Sequence, residues 1–322
     1  MEVFKTEKIY DFMSKRFAFL GLSSFLIVAS IVLLFTKGLN FGIDFVGGTI
    51  VQVKYEQTAP INQVRDILKD TKYSNAVITE FGSSDEIIIR ITGSSSDLTN
   101  DISDEMHKIL AETGTFDIRR VDMVGAKVGG ELREKGLMAL GLSLLVMLIY
   151  VSFRFEWRFA VASILALAHD VTIAMGAISL FQVEVNLDIL AAILTLLGYS
   201  INDTIIVFDR IREQLQITKD SMLSSVINFS VSKTLSRTTL TSLTTLFVVA
   251  TLLFFFFFFI YGFSFTLFVG IIIGTYSSIF VAATFLIQLN FSVEDFKIKE
   301  SEKVKRQKEK EKLRAMFEQG TV

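Results

Sequence analysis

Cysteine is absent from the 322 residues, proline occurs once, at Pro60, and histidine twice, at His107 and His169. Without cysteine there are no disulfides, no thiolate zinc sites and no thiol nucleophile, and two histidines leave little for any other metal. Any extracytoplasmic part must therefore be stable without disulfides. Net charge is nearly absent too: 32 Lys and Arg stand against 34 Asp and Glu, a formal −2. That balance argues against binding nucleic acid through bulk electrostatics. What is abundant is apolar. Hydrophobic residues make up 51% of the chain, and mean hydropathy is +0.51. This is too high for a soluble globular domain and too low for a chain wholly in lipid, so the charges must be segregated. A soluble enzyme is ruled out.

Six runs reach the roughly 20 apolar residues needed to cross a hydrocarbon core. They lie at 17–36, 135–153, 159–181, 187–208, 238–260 and 264–289. The first follows Lys15 and Arg16, is too long for a signal-peptide core and ends without a small-residue cleavage site, so it reads as a retained anchor. The expected plan is a cytoplasmic N-terminus (1–16), a first span (17–36), a polar extracytoplasmic region (37–134), a five-span bundle (135–289) and a charged cytoplasmic tail (290–322). Orientation comes from Lys and Arg in the short loops. With the N-terminus inside, the cytoplasm receives Lys5, Lys8, Lys15, Arg16, Arg154, Arg158, Arg210, Arg212, Lys219 and Lys233, and the tail adds nine more. The opposite loops, near 182–186 and 260–263, carry none. Both termini are expected in the cytoplasm.

The polar region has a readable rhythm. Thr49 to Tyr55 alternates like a half-buried strand, and Pro60 can open a helix bearing Ile61, Val64, Ile67 and Leu68. A strand at 76–81, a turn at 82–85 and a partner strand at 86–92 suggest a hairpin. Helical spacing returns over 97–112 with Leu98, Ile102, Met106, Ile109 and Leu110, and 115–123 closes with a strand. The order β-α-β-β-α-β is the ferredoxin-like, split-βαβ arrangement. The fold class expected is thus an α-helical polytopic membrane protein with six transmembrane helices. A small α+β domain stands between helices one and two. The tail from Lys297 to Arg314, dense in Lys and Glu, reads as a solvated helix or a disordered end.

Several segments invite chemistry. Gly42 to Thr49, with Asp44, Gly47 and Gly48, nearly spells a phosphate-binding loop. It has Gly48 where that motif needs Lys, and a strand follows where the motif needs a helix. Its glycines serve tight turns where the chain leaves the membrane. His169 and Asp170 lie halfway along the third span, with no HExxH and no second acidic cluster. Ionisable groups at that depth cost about a few kcal/mol each, so the pair reads either as part of an ion pathway or as helix packing.

On the fourth span Asp188, Thr195, Tyr199, Asn202 and Asp209 fall at spacings of 7, 4, 3 and 7, one stripe of a helix. Asp203 sits at its edge. The stripe is expected to face the bundle and the apolar side to face lipid. Interhelical hydrogen bonding suits Thr195, Tyr199 and Asn202, but suits the carboxylate of Asp203 poorly. The fifth span opens with Ser236, Arg237, Thr238 and Thr239 and continues through Thr241, Ser242, Thr244 and Thr245, a small hydroxyl-rich face. Because spans four and five run antiparallel, Asp203 and Arg237 are expected at similar depth near the cytoplasmic boundary, unless Arg237 merely snorkels to the interface. Gly270 and Gly274 in span six form a packing face, and Phe254 to Phe259 a bulky outer surface.

Asn202 to Glu213 (NDTIIVFDRIRE), Gly38 to Gly48 (GLNFGIDFVGG), Thr234 to Thr245 (TLSRTTLTSLTT), Gly274 to Phe280 (GTYSSIF) and Phe153 to Asp170 resemble signature segments of the SecF family. These are the protein-export membrane subunits of the resistance–nodulation–division superfamily. The likeness runs in order over nearly the whole chain. It implies a bacterial inner-membrane complex with SecD and YajC, docked on the SecYEG channel and acting on the translocating preprotein. The implied role is to use the proton motive force in late, ATP-independent steps of export, with no enzyme activity, cofactor or metal. It also implies that the family's proton-pathway acid falls on Asp203 and its essential arginine on Arg237. A further essential acid would belong to SecD. Asn202, Tyr199, His169, Asp170 and Thr241 stand as pathway or packing residues. The chain departs from the family at Phe254–Phe259, where relatives tend to have paired glycines, and in lacking proline near the end of span six. The competing readings are an exporter of small molecules or lipids from the same superfamily, a scaffold without ion coupling, and an intramembrane protease. Such exporters usually carry a doubled chain with two large external domains, and a scaffold gains nothing from ionisable groups so placed.

Overall fold

Residues 38–48 and 184–187 join two unlike parts, a small sheet domain and a helical bundle. The computed structural model describes residues 8–92, 102–218, 222–255 and 257–318. In chain order the elements are α1 (Arg16–Thr36), β1 (Asn40–Phe41), α2 (Ile43–Val46), β2 (Gly48–Tyr55), α3 (Ile61–Lys69), β3 (Val77–Phe81), β4 (Ser83–Thr92), α4 (Ile102–Leu110) and β5 (Phe116–Val124). The bundle continues with α5 (Ala126–Arg154), α6 (Trp157–Phe181), β6 (Glu184–Val185), α7 (Leu187–Ile217), α8 (Leu223–Phe255), α9 (Phe257–Tyr276), a π-helical turn (Ser277–Val281), α10 (Ala282–Gln288) and α11 (Val293–Glu318).

The head is a four-stranded antiparallel sheet in the order β3-β4-β2-β5. Alternation puts Val51, Val53 and Tyr55 of β2 and Ile87, Ile89 and Ile91 of β4 on one face. Val64 and Leu68 of α3 and Met106 and Leu110 of α4 cover that face and complete the core. The split-βαβ order is therefore the one the alternating periods predict. The turn is shorter than the predicted 82–85. Gly82, at φ +79°, reverses the chain alone, and Ser83 to Asp85 join β4. Leu98 of the predicted second helix lies outside the described residues, and β5 runs one residue past the predicted strand.

Six helices are long and apolar enough to cross a membrane. Three run well beyond their apolar runs. α5 begins at Ala126 rather than 135, α7 continues to Ile217, and α8 begins at Leu223. Hydropathy marks the stretch that meets hydrocarbon, whereas a helix continues wherever no breaker stops it, and the chain has no proline after Pro60. The predicted outer loop at 260–263 falls within α9, whose helical backbone is broken only at Ile260 (φ −134°). α6, α7 and the last span form the buried centre, and α1, α5 and α8 stand at the perimeter. Gly270 and Gly274 do form a packing face. A side chain at Gly270 would strike Leu196 of α7, and one at Gly274 would touch Ser200. Phe254 and Phe255 are exposed, and Phe256 lies outside the described residues. The charged tail is helical as α11, anchored at its base by buried Phe291, Val293 and Phe296.

Candidate functional site

The fourth span, α7, is turned the other way from the expectation. Ile189, Ala192, Ile193, Leu196 and Leu197 are buried, while Asp188, Thr195 and Asn202 are exposed. The apolar side goes inward because the glycines of α9 and small residues of α6 leave volume there that Leu196 and its neighbours fill. The polar stripe is left on the outer surface of this chain. Thr195 spends its hydroxyl on the carbonyl of Ala191 in its own helix. Asp209, the last member of the stripe, is outside the bundle core. Both its carboxylate oxygens accept from Arg154 at the end of α5, at 2.8 and 2.9 Å.

Asp203, at the edge of the stripe, is the member that enters the interior. It is 2% exposed near the midpoint of α7. Ser242 of α8 donates to its Oδ2 at 3.2 Å. Thr238, one turn before Ser242, is also buried, and its Oγ1 has no partner among the described residues. Arg237 precedes Thr238 and is exposed on the surface of α8, a turn and a half from Ser242. Tyr199 donates to Thr245 at 3.2 Å and ties α7 to α8, whereas Thr241 returns its hydroxyl to the carbonyl of Arg237. The carboxylate, Ser242 and Thr238 are thus enclosed together. Arg237, Asn202 and Thr241 lie at the open side of the same two helices.

His169 and Asp170 of α6 form a second buried pair, 3% and 1% exposed. His169 Nδ1 lies 2.8 Å from Asp170 Oδ1, and Ser200 of α7 donates to Oδ2 at 2.5 Å. Among the described residues no cluster of three His, Cys, Asp or Glu side chains is placed to hold a metal.

The glycine-rich segment is the joint between head and bundle. β1 pairs in parallel with β6, and the amide of Gly42 donates to the carbonyl of Val185 at 2.8 Å. Asp44 accepts from the amide of Leu187 at 3.0 Å and Asn186 caps the same end of α7, so α2 grips the start of the helix that carries Asp203. Gly47 and Gly48 have φ of +84° and +148°. A side chain on Gly47 would meet the backbone of Ala126 at 2.6 Å, and one on Gly48 would strike the carbonyl of Ile91. Arg90 of β4 donates across the joint to Glu184 of β6. Burial pushes the Glu184 carboxyl above its usual range, Arg90 pulls it back, and neighbouring Asp44 adds to the rise. Neither Arg90 nor Glu184 stands out in the sequence. The available signal is that Glu184 is the lone charge in the short 182–186 loop between two apolar runs.

Comparison with known proteins agrees with this layout. Residues 105–292 match the family model described as protein export membrane protein SecD/SecF, C-terminal, and residues 32–59 match the SecD/SecF GG motif. The chain is 45% identical over 325 residues to the protein translocase subunit SecF of Helicobacter pylori, covering 100% of each. It is 38% identical to the SecF of Escherichia coli O157:H7, covering 89% of this chain and 90% of that one. The crystal structure of SecDF, a translocon-associated membrane protein from Thermus thermophilus, superimposes with a TM-score of 0.81 at 35% identity. That alignment covers 89% of this chain and 40% of the longer one. With the joint, the six helices and the Asp203 segment all inside the matched regions, the chain belongs to the SecF family of protein export membrane proteins.

Proposed function

We propose that this chain is an accessory subunit of the preprotein translocase of the bacterial inner membrane, one that uses the proton motive force to promote late, ATP-independent steps of export. The observation that carries the reading is Asp203, an ionisable side chain enclosed in the bundle near the cytoplasmic end of the apolar run of α7, with a hydroxyl for its partner. A charge at membrane depth costs about a few kcal/mol. Proton gain or loss at Asp203 therefore carries enough free energy to shift the bundle between arrangements. Arg237 is the cation that comes and goes. A permanent ion pair would stay ionised and carry no protons.

The outer polar surface of α7 and α8, with Asp188, Thr195, Asn202 and Arg237, is where a SecD-type subunit packs and supplies the remaining acid. Polar groups at that depth need a protein or aqueous neighbour. YajC, the SecYEG channel and the preprotein complete the assembly. Both termini lie in the cytoplasm and the head outside, as the Lys and Arg of the short loops require.

The test is completion of a stalled preprotein in inverted vesicles, with the gradient imposed after ATP is removed. Asp203→Asn is expected to leave the complex assembled and to abolish the response to the gradient. Asp203→Glu keeps part of it. Arg237→Lys keeps less, since a point charge lacks the guanidinium's fork. Asp203→Asn vesicles with normal SecD content and a full response would remove Asp203 from the path.

A further inference from the structure

Ser200 and Asp203 lie one turn apart on the buried face of α7 and reach different neighbours. Asp203 accepts from Ser242 of α8, and Ser200 donates to Asp170 of α6. Asp170 in turn holds Nδ1 of His169. The Nε2 of His169 is buried and has no partner among the described residues. An unsatisfied buried nitrogen carries a desolvation penalty that an apolar residue of similar size would avoid. The imidazole stacks on Tyr276, ring centroids 6.3 Å apart. The next residue, Ser277, opens the π-helical turn, and its Oγ is likewise buried and unpartnered. π turns recur at functional sites. His169 Nε2 thus has no partner among the described residues, while its Nδ1 lies against a carboxylate that Ser200 also holds.

We propose that His169 is a second proton-binding station of this chain, held by Asp170 and Ser200 one helical turn from Asp203. The inference rests on the proton-coupled reading above and extends the path from α7 into α6. The arriving proton, carried on water, takes the lone pair of Nε2 while Nδ1 keeps its hydrogen toward Asp170. Imidazolium and carboxylate then form a neutral pair, the condition under which a charge is tolerated in an interior. The titratable groups facing the ring are Asp170 on its own helix and Tyr276 on α9. α1 contributes Ser23, which shares the Tyr276 hydroxyl, and α7 contributes Ser200, with Asp203 one turn further on. α10 has no ionisable side chain, and those of α5 are confined to its two end segments.

With two histidines in the chain, 15N-histidine labelling gives two ring systems, and His107→Gln leaves His169 alone. The sample is the full chain with its partner subunit in lipid nanodiscs. Acidifying the sample over the range in which the complex stays assembled is expected to convert His169 from a ring protonated on Nδ1 to one protonated on both nitrogens. A ring that stays neutral throughout overturns the proposal. His169→Gln can still donate to Asp170 but cannot take a second proton. It is expected to assemble normally and lose gradient-driven export several-fold, and an undiminished response would also overturn the station. These failures are separable from failure of the broader reading, which is decided by Asp203→Asn alone.

Discussion

At position 48 a hydrogen is the largest side chain that fits. Gly48 starts the central strand of the head, pairing with Thr92 on one side and Val124 on the other, while its φ of +148° is one L side chains rarely adopt. The atom a Cβ would strike is a backbone carbonyl, which cannot swing aside. Gly48→Ala is expected to cost about 1–3 kcal/mol, read as a lowered unfolding temperature of the purified protein. Gly141→Ala, inside α5 with nothing within 4 Å, is expected to be neutral or to gain up to about 1 kcal/mol. The sequence already marks the glycines of this segment as turn residues, because glycine pairs signal unusual backbone angles. What they press against, Ala126 and Ile91, is invisible in it, since close approach is a property of the fold. The same limit hides the partners Arg90 and Glu184. Asp203 is legible for the opposite reason: a carboxylate within an apolar run is costly wherever it points.

Among elements, the head was the more legible part. Period-2 and period-3.6 stretches report which face of each strand or helix is apolar, and in a small sheet domain the apolar face has one place to go. α7 shows where that logic stops. Its periodicity locates a polar stripe correctly, yet the inward face is the other one. In water an apolar face must turn in. In lipid the apolar face gains nothing by turning in or out, so packing volume decides, and the polar face is left for a partner. The difference has a consequence for the head. Its core of Val53, Val64, Ile87, Ile89, Met106 and Leu110 lies within 48–124 and, among the described residues, includes none from the bundle. The isolated fragment 48–124 is expected to unfold cooperatively, and Ile87→Ala, at a fully buried site, to destabilise it by about 2–5 kcal/mol. A fragment with no thermal transition would show that the head depends on its anchorage.

For the whole molecule, the head sits on the start of α5, where Gly47 meets Ala126, and reaches from there to the helix that bears Asp203. Arg90 holds Glu184, β1 pairs with β6, and Asp44 holds the first amide of α7. A shift of α7 is therefore felt at the joint before it is felt elsewhere in the head. The charge balance there sets how the joint responds to pH. Closing it buries Glu184, and burial, reinforced by Asp44, raises the carboxyl's pKa by more than Arg90 lowers it. The closed joint thus binds a proton more readily than the open one. By linkage, its stability is fully present below the open-state value of Glu184 and is lost as pH rises through the higher closed-state value. The familiar expectation for an ion pair, that acid loosens it, is reversed. With the head on the outer side of the membrane, as proposed, the acidic side of the gradient tightens its attachment to α7. Hydrogen exchange of the Gly42 amide, bonded to Val185 across the joint, reads this directly. Normalised to the buried amides of β2, its protection is expected to rise as pH is lowered toward the ordinary glutamate range. Glu184→Gln is expected to abolish that dependence. Protection that instead falls with pH would mean that the attraction of Arg90 outweighs burial, and that acid opens the joint.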